Sequence, residues 1–100
     1  MNLNNAAIAF TDALEQLLQA NKLNYFLYNR QIDRQGDQIT TKIEMKGSKH
    51  SFIFDITYDV ATKGLTAGIA QQDGEVPSGN GDKIVNVITS NSGALSESFK

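Results

Sequence analysis

From residue 38 to residue 59 the chain places an apolar side chain at nearly every second position, and no other feature constrains the fold as tightly. Ile39, Thr41, Ile43 and Met45 alternate with Gln38, Thr40, Lys42, Glu44 and Lys46. Phe52, Phe54, Ile56 and Tyr58 alternate with their neighbours in the same way. Successive side chains of a strand point to opposite faces, so each run predicts a strand with one face buried and the other in water.

The intervening turns test that pattern. A two-residue loop at Gln35-Gly36, with glycine supplying a positive φ, sets Arg34 against Asp37. It brings Ile32 opposite Ile39, Tyr28 opposite Ile43 and Phe26 opposite Met45. A loop at Gly47-Ser48 brings Met45 opposite His50, Ile43 opposite Phe52, Thr41 opposite Phe54 and Ile39 opposite Ile56. Setting Asp59 against Gly64 brings Tyr58 opposite Leu65, Ile56 opposite Ala67 and Phe54 opposite Ile69. All three registers gather the large apolar residues on one face, and a one-residue slip at any turn would send a whole set into water. Consecutive hairpins predict a four-stranded antiparallel meander in the order 1-2-3-4, with strands over 24–34, 37–46, 49–59 and 64–72.

The flanking segments follow a helical period. Leu3, Ala7, Phe10, Leu14 and Leu17 recur at spacings of three and four, with Ala6, Leu18 and Asn21 beside them, so residues 4–21 form an amphipathic helix. Asn4 or Asn5 supplies its N-cap, Asn21 its left-handed stop, and Lys22 suits the negative end of its dipole. Residues 73–82 hold the only proline and three glycines and read as a loop. In 83–98 two patterns compete. The β-branched Ile84, Val85, Val87, Ile88 and Thr89 favour a fifth strand. Against that, Ile84, Val87, Ile88, Asn91, Ala94, Leu95 and Phe99 share one helical arc, Asp82 offers an N-cap, and only Gly93 weakens the helix. The helical pattern persists over the longer window and is preferred. The expected fold is a single two-layer α+β domain over residues 1–100, with both helices on one face of the sheet.

Composition narrows the function by exclusion. A chain of 100 residues with 40% hydrophobic and 20% charged residues has enough apolar material for a core. It has no cysteine, which rules out disulfides and thiolate metal sites. The net charge of −2 weighs against nucleic acid and anionic lipid as partners. The N-terminal residues lack a signal-peptide pattern and no apolar run spans a bilayer, so a cytoplasmic protein with no membrane contact is expected.

No catalytic or metal constellation emerges. His50, the only histidine, opens the third strand with no carboxylate near it in sequence. Gly79 is followed by Asn80-Gly81 and not by the Lys-Ser/Thr of a phosphate-binding loop. Asp73, Glu75, Asn80 and Asp82 miss the alternating ligand positions of a calcium loop. Phe26, Tyr28, Phe52, Phe54 and Tyr58 all fall on the face the helix covers, which removes them as a base-stacking platform. That register leaves Tyr25, Leu27, Ile53 and Ala70 on the outer face with Lys42, amid Thr40, Thr57, Thr66 and Gly68. These five residues are the candidate interface. The expected function is a non-enzymatic protein-interaction module, homodimeric, without cofactor or metal. The alternative is a small-ligand binder with a pocket between helix and sheet lined by Tyr28, Phe54 and Tyr58.

Overall fold

The computed structural model describes residues 2–100. Helix α1 (Leu3–Ala20) precedes four strands, β1 (Phe26–Gln35), β2 (Gln38–Lys46), β3 (Ser51–Asp59) and β4 (Leu65–Gln72). Two short helices, α2 (Asp82–Ser90) and α3 (Ser92–Ser96), and a 3-10 turn (Glu97–Phe99) close the chain. The strands form one antiparallel sheet in the order β1-β2-β3-β4, and the helices pack on one face of it. The fold is the two-layer α+β arrangement that the alternation predicts.

The central strands carry the core. Ile39, Ile43 and Met45 on β2, with Phe52, Phe54, Ile56 and Tyr58 on β3, are buried against Phe10, Leu14 and Leu18 of α1. Ile84, Ile88, Leu95 and Phe99 complete the cluster from the C-terminal side, and the rings of Phe99 and Tyr58 stack 5.2 Å apart. Each such side chain is worth about 1.5–3 kcal/mol on leaving water. The segment after the loop is therefore helical, but it breaks at Asn91 and not at Gly93. Asn91 turns its side-chain amide back to donate to the Val87 carbonyl at 2.8 Å.

The helix ends differ in detail from expectation. The N-cap of α1 is Asn2, whose Oδ1 accepts from the Asn5 N–H at 3.1 Å; Asn4 and Asn5 lie inside the helix. At the other end Lys22, not Asn21, adopts the left-handed conformation, with φ 60°. Lys22 N–H donates to the Gln19 carbonyl and Leu23 N–H to the Leu18 carbonyl, the bond pair of a Schellman stop. Asn21 donates its side-chain amide to the Leu17 carbonyl. Asp82 begins α2 after Gly81, which is the N-cap.

Two turns are displaced from their predicted places. The first hairpin closes on Gly36-Asp37, so Gln35 opposes Gln38 and Ile32 opposes Thr41. The second loop spans residues 47–50, with Gly47 N–H donating to the His50 carbonyl, and Met45 opposes Phe52. Each displacement moves the partner by two residues and keeps the face. The third register, Tyr58 with Leu65, Ile56 with Ala67 and Phe54 with Ile69, is as predicted. Gly47 has a reason other than a positive φ. A Cβ there would sit 2.8 Å from Cε1 of Tyr25 and 3.2 Å from the Asn24 carbonyl oxygen.

Two predictions follow from this packing. Thr41 is fully buried between Ile32 and Ile56, and among the described residues its Oγ1 finds no partner. Thr41→Val removes the orphaned hydroxyl at nearly constant shape, and a gain of about 1 kcal/mol is expected. Thermal melting should rise by about 4–8 °C; a lower melting temperature would mean that the hydroxyl is satisfied. Gly47→Ala forces a methyl group into the Tyr25 ring and should cost about 1–3 kcal/mol in urea unfolding. A neutral result would show that the ring can move aside.

Candidate functional site

Two irregularities in the sheet decide what its bare face presents. In β1 the register steps between Leu27 and Asn29, so that Tyr28 is an extra residue against β2. Such a bulge reverses the in-out phase of everything on its far side. Leu27 therefore opposes the buried Met45 and packs on the core, and the Tyr25 ring lies 5.5 Å from that of Phe52. Tyr25 and Leu27 are thus removed from the outer face on which the uninterrupted alternation placed them. Phe26 and Tyr28 take their place, 64% and 50% exposed.

The outer face at this end has a definite composition. Phe26 stands opposite Lys46, and together with Tyr28 they bound an open hollow of about 430 Å³. A second hollow of about 200 Å³ adjoins it, lined by Tyr28, Glu44, Ile53 and Gln71 among others. The Asn29 side-chain amide donates to a carboxylate oxygen of Glu44. Among the described residues no carboxylate lies within ion-pair distance of Lys46. Of the residues expected here, Ile53 lies beside Tyr28, and Ala70 is exposed at the second irregularity, where β4 steps past Ile53. Lys42 sits farther along, directly opposite Asp55, which offsets its charge.

The step in β4 turns Gln72 inward, 5% exposed, where its Oε1 accepts from the Ser78 N–H at 3.0 Å. Asp73 and Gly74 follow with φ of 53° and 77°, and Gln72 and Glu75 exchange backbone hydrogen bonds across them. An Asp-Gly pair is a strong short-range turn signal, and it places a carboxylate that sequence position alone does not associate with His50. Asp73 Oδ2 lies 2.8 Å from His50 Nδ1, and Oδ1 accepts from the Ser51 N–H at 2.8 Å. The hydrogen bond with His50, reinforced by that from Ser51, holds the Asp73 carboxyl below the usual carboxylate range. Both carboxylate oxygens are thus engaged in tying the loop after β4 to the start of β3. Among the described residues no three His, Cys, Asp or Glu side chains gather as a metal site would require.

The residues expected to line an internal pocket do not meet. Phe54 and Tyr58 are buried in the packed core, and Tyr28 is on the opposite face of the sheet. An open cleft of about 500 Å³ does lie between α1 and β1, lined by Asn4, Ala7, Ile8, Arg30, Gln31 and Ile32. Among the described residues no helix is long and apolar enough to cross a membrane. No protein-family model, curated protein or solved structure matches the chain.

The His50–Asp73 contact carries a pH dependence whose sign is fixed. The folded-state pKa of Asp73 lies below its ordinary value of 3.8. Its contribution is therefore fully present above that value and is lost as pH falls through the folded-state pKa. Asp73→Asn keeps a residue type that tolerates the left-handed backbone, removes the charge and leaves one acceptor oxygen where the carboxylate has two. The wild type should melt above Asp73→Asn at neutral pH, and the gap should close as pH drops below about 4. A gap that stays constant into strong acid would mean that the carboxylate charge contributes nothing.

Proposed function

We propose that the chain is a non-enzymatic protein-interaction module, working as a homodimer, whose bare sheet face receives a partner protein. The observation that carries this reading is the bulge at Tyr28, which sets two aromatic rings in water beside Ile53 on a face no helix covers. Exposed aromatic residues grouped on one patch are the usual anchors of protein interfaces, because they desolvate a large area at small entropic cost. Lys46, opposite Phe26 and without an ion-pair partner among the described residues, gives the patch a cationic corner. The partner that fits is a protein segment offering apolar side chains beside a carboxylate.

The test compares wild type with a Phe26→Ser/Tyr28→Ser double variant in proximity capture inside cells. The variant, folded by circular dichroism and of unchanged melting temperature, should lose the proteins that the wild type captures. Equal capture by both would remove this face as the docking surface.

A further inference from the structure

The two edges of the sheet are guarded unequally. Natural edge strands avoid unwanted pairing with charges, inward-pointing charges above all, and with bulges. Strand β1 has these devices: Arg30, Asp33 and Arg34 lie along it, and Arg30 and Arg34 occupy core-side positions opposite Ile43 and Ile39. Strand β4 carries no charged residue over its whole length. From Leu65 to Ile69 its register against β3 is regular, and the only irregularity comes after them.

The direction of its free backbone groups can be read from the ladder. Asp59 N–H donates to the Gly64 carbonyl at 2.9 Å, so Gly64 faces β3. Bonding alternates along an antiparallel pair, so Thr66 and Gly68 also face β3, while Leu65, Ala67 and Ile69 turn their N–H and C=O groups outward. Among the described residues no other element hydrogen-bonds to these three. Their side chains are only half-buried although they pack on the core.

We infer that β4 pairs with β4 of a second copy about a two-fold axis through Ala67, joining two four-stranded sheets into one. This register sets Ala67 against Ala67 of the other copy and Leu65 against Ile69. All three outward residues then exchange both bonds, giving about six new backbone hydrogen bonds. Moving the axis to Gly68 would engage fewer of them. No charge opposes a like charge along the strand, because the strand has none. The same pairing along β1 is disfavoured: an axis at Ile32 would set Arg30 against Arg34 of the other copy. The joined edge covers the apolar surface that Leu65, Ala67 and Ile69 leave half-open. It buries less than the roughly 800 Å² per partner of a standard interface, so assembly belongs in the micromolar range. The inference rests on the reading of the chain as an interaction module and deepens it by naming one partner, a second copy.

Thr66 and Gly68 fall opposite each other across that axis in a non-hydrogen-bonded pair, where Cα atoms approach to about 4.5 Å and a disulfide can close. The chain has no cysteine of its own, and a Cβ at Gly68 meets nothing within 4 Å. Thr66→Cys and Gly68→Cys chains, mixed and oxidised, should give a disulfide-linked dimer that neither gives alone. Sedimentation of the wild type from micromolar to near-millimolar concentration should pass from one chain to two. Ala67→Pro, which removes an outward N–H and leaves the ladder with β3 intact, should shift that transition at least tenfold upward in concentration. A mass of one chain throughout overturns the dimer. Cross-linking of Gly68→Cys alone, or no shift with Ala67→Pro, overturns this register. The Phe26→Ser/Tyr28→Ser variant should still dimerise, so loss of partner capture and loss of the dimer report separately on the two surfaces.

Discussion

Burial of one face of β2 and β3 under α1 is the constraint from which the rest of the molecule follows. Seven residues of those strands, from Ile39 to Tyr58, are withdrawn from water against Phe10, Leu14 and Leu18. At about 1.5–3 kcal/mol for each such side chain, no hydrogen bond or ion pair among the described residues competes with this contact. Its strength explains why a hydroxyl without a partner, that of Thr41, persists inside it. It also explains why the two outer strands are free to vary: β1 and β4 contribute half-buried residues and have latitude for bulges and polar side chains.

That hierarchy determines which parts of the fold could be read from residues alone. Which face of each strand is buried follows from a period of two, and a turn misplaced by one residue moves the register by two. The error at Gly36 and the error at residues 47–50 therefore left every inward residue of β2 and β3 inward. The bulges at Tyr28 and near Ala70 are different, because they reverse the phase, and no glycine or proline marks either one. The cause of the first is tertiary. Tyr25 fills the space over Gly47 beside Phe52, and Leu27 covers Met45. The alternation along β1 cannot report such distant contacts. Of the five surface residues expected from the pattern, Lys42, Ile53 and Ala70 stayed outside, while Tyr25 and Leu27 exchanged places with Phe26 and Tyr28.

The pairing of His50 with Asp73 was hidden for a related reason. The two residues are 23 positions apart, and their contact depends on the phase change in β4 and on the Asp-Gly turn that follows. The turn was legible in the dipeptide; the phase change was not. The contrast between the edge strands needs only the distribution of charge, and that was present in the sequence from the start. It acquires meaning once β1 and β4 are known to be the edges and the outward-facing backbone groups are assigned.

The bulge at Tyr28 has a genetic corollary. A strand has only two phases, so the side chains that the start of β1 shows to water are set by counting residues and not by their chemistry. Counted back from Arg30 on the core side, removal of Tyr28 leaves Asn29 outward, Leu27 inward, Phe26 outward and Tyr25 inward, as they stand now. Loss of the extra residue would therefore straighten the strand and keep Phe26 in water, and gain of a second would restore plain alternation with the same result. This surface thus tolerates a change of length at the bulge, whereas smoothing the bulge at constant length would return Phe26 to the core side and expel Tyr25 and Leu27.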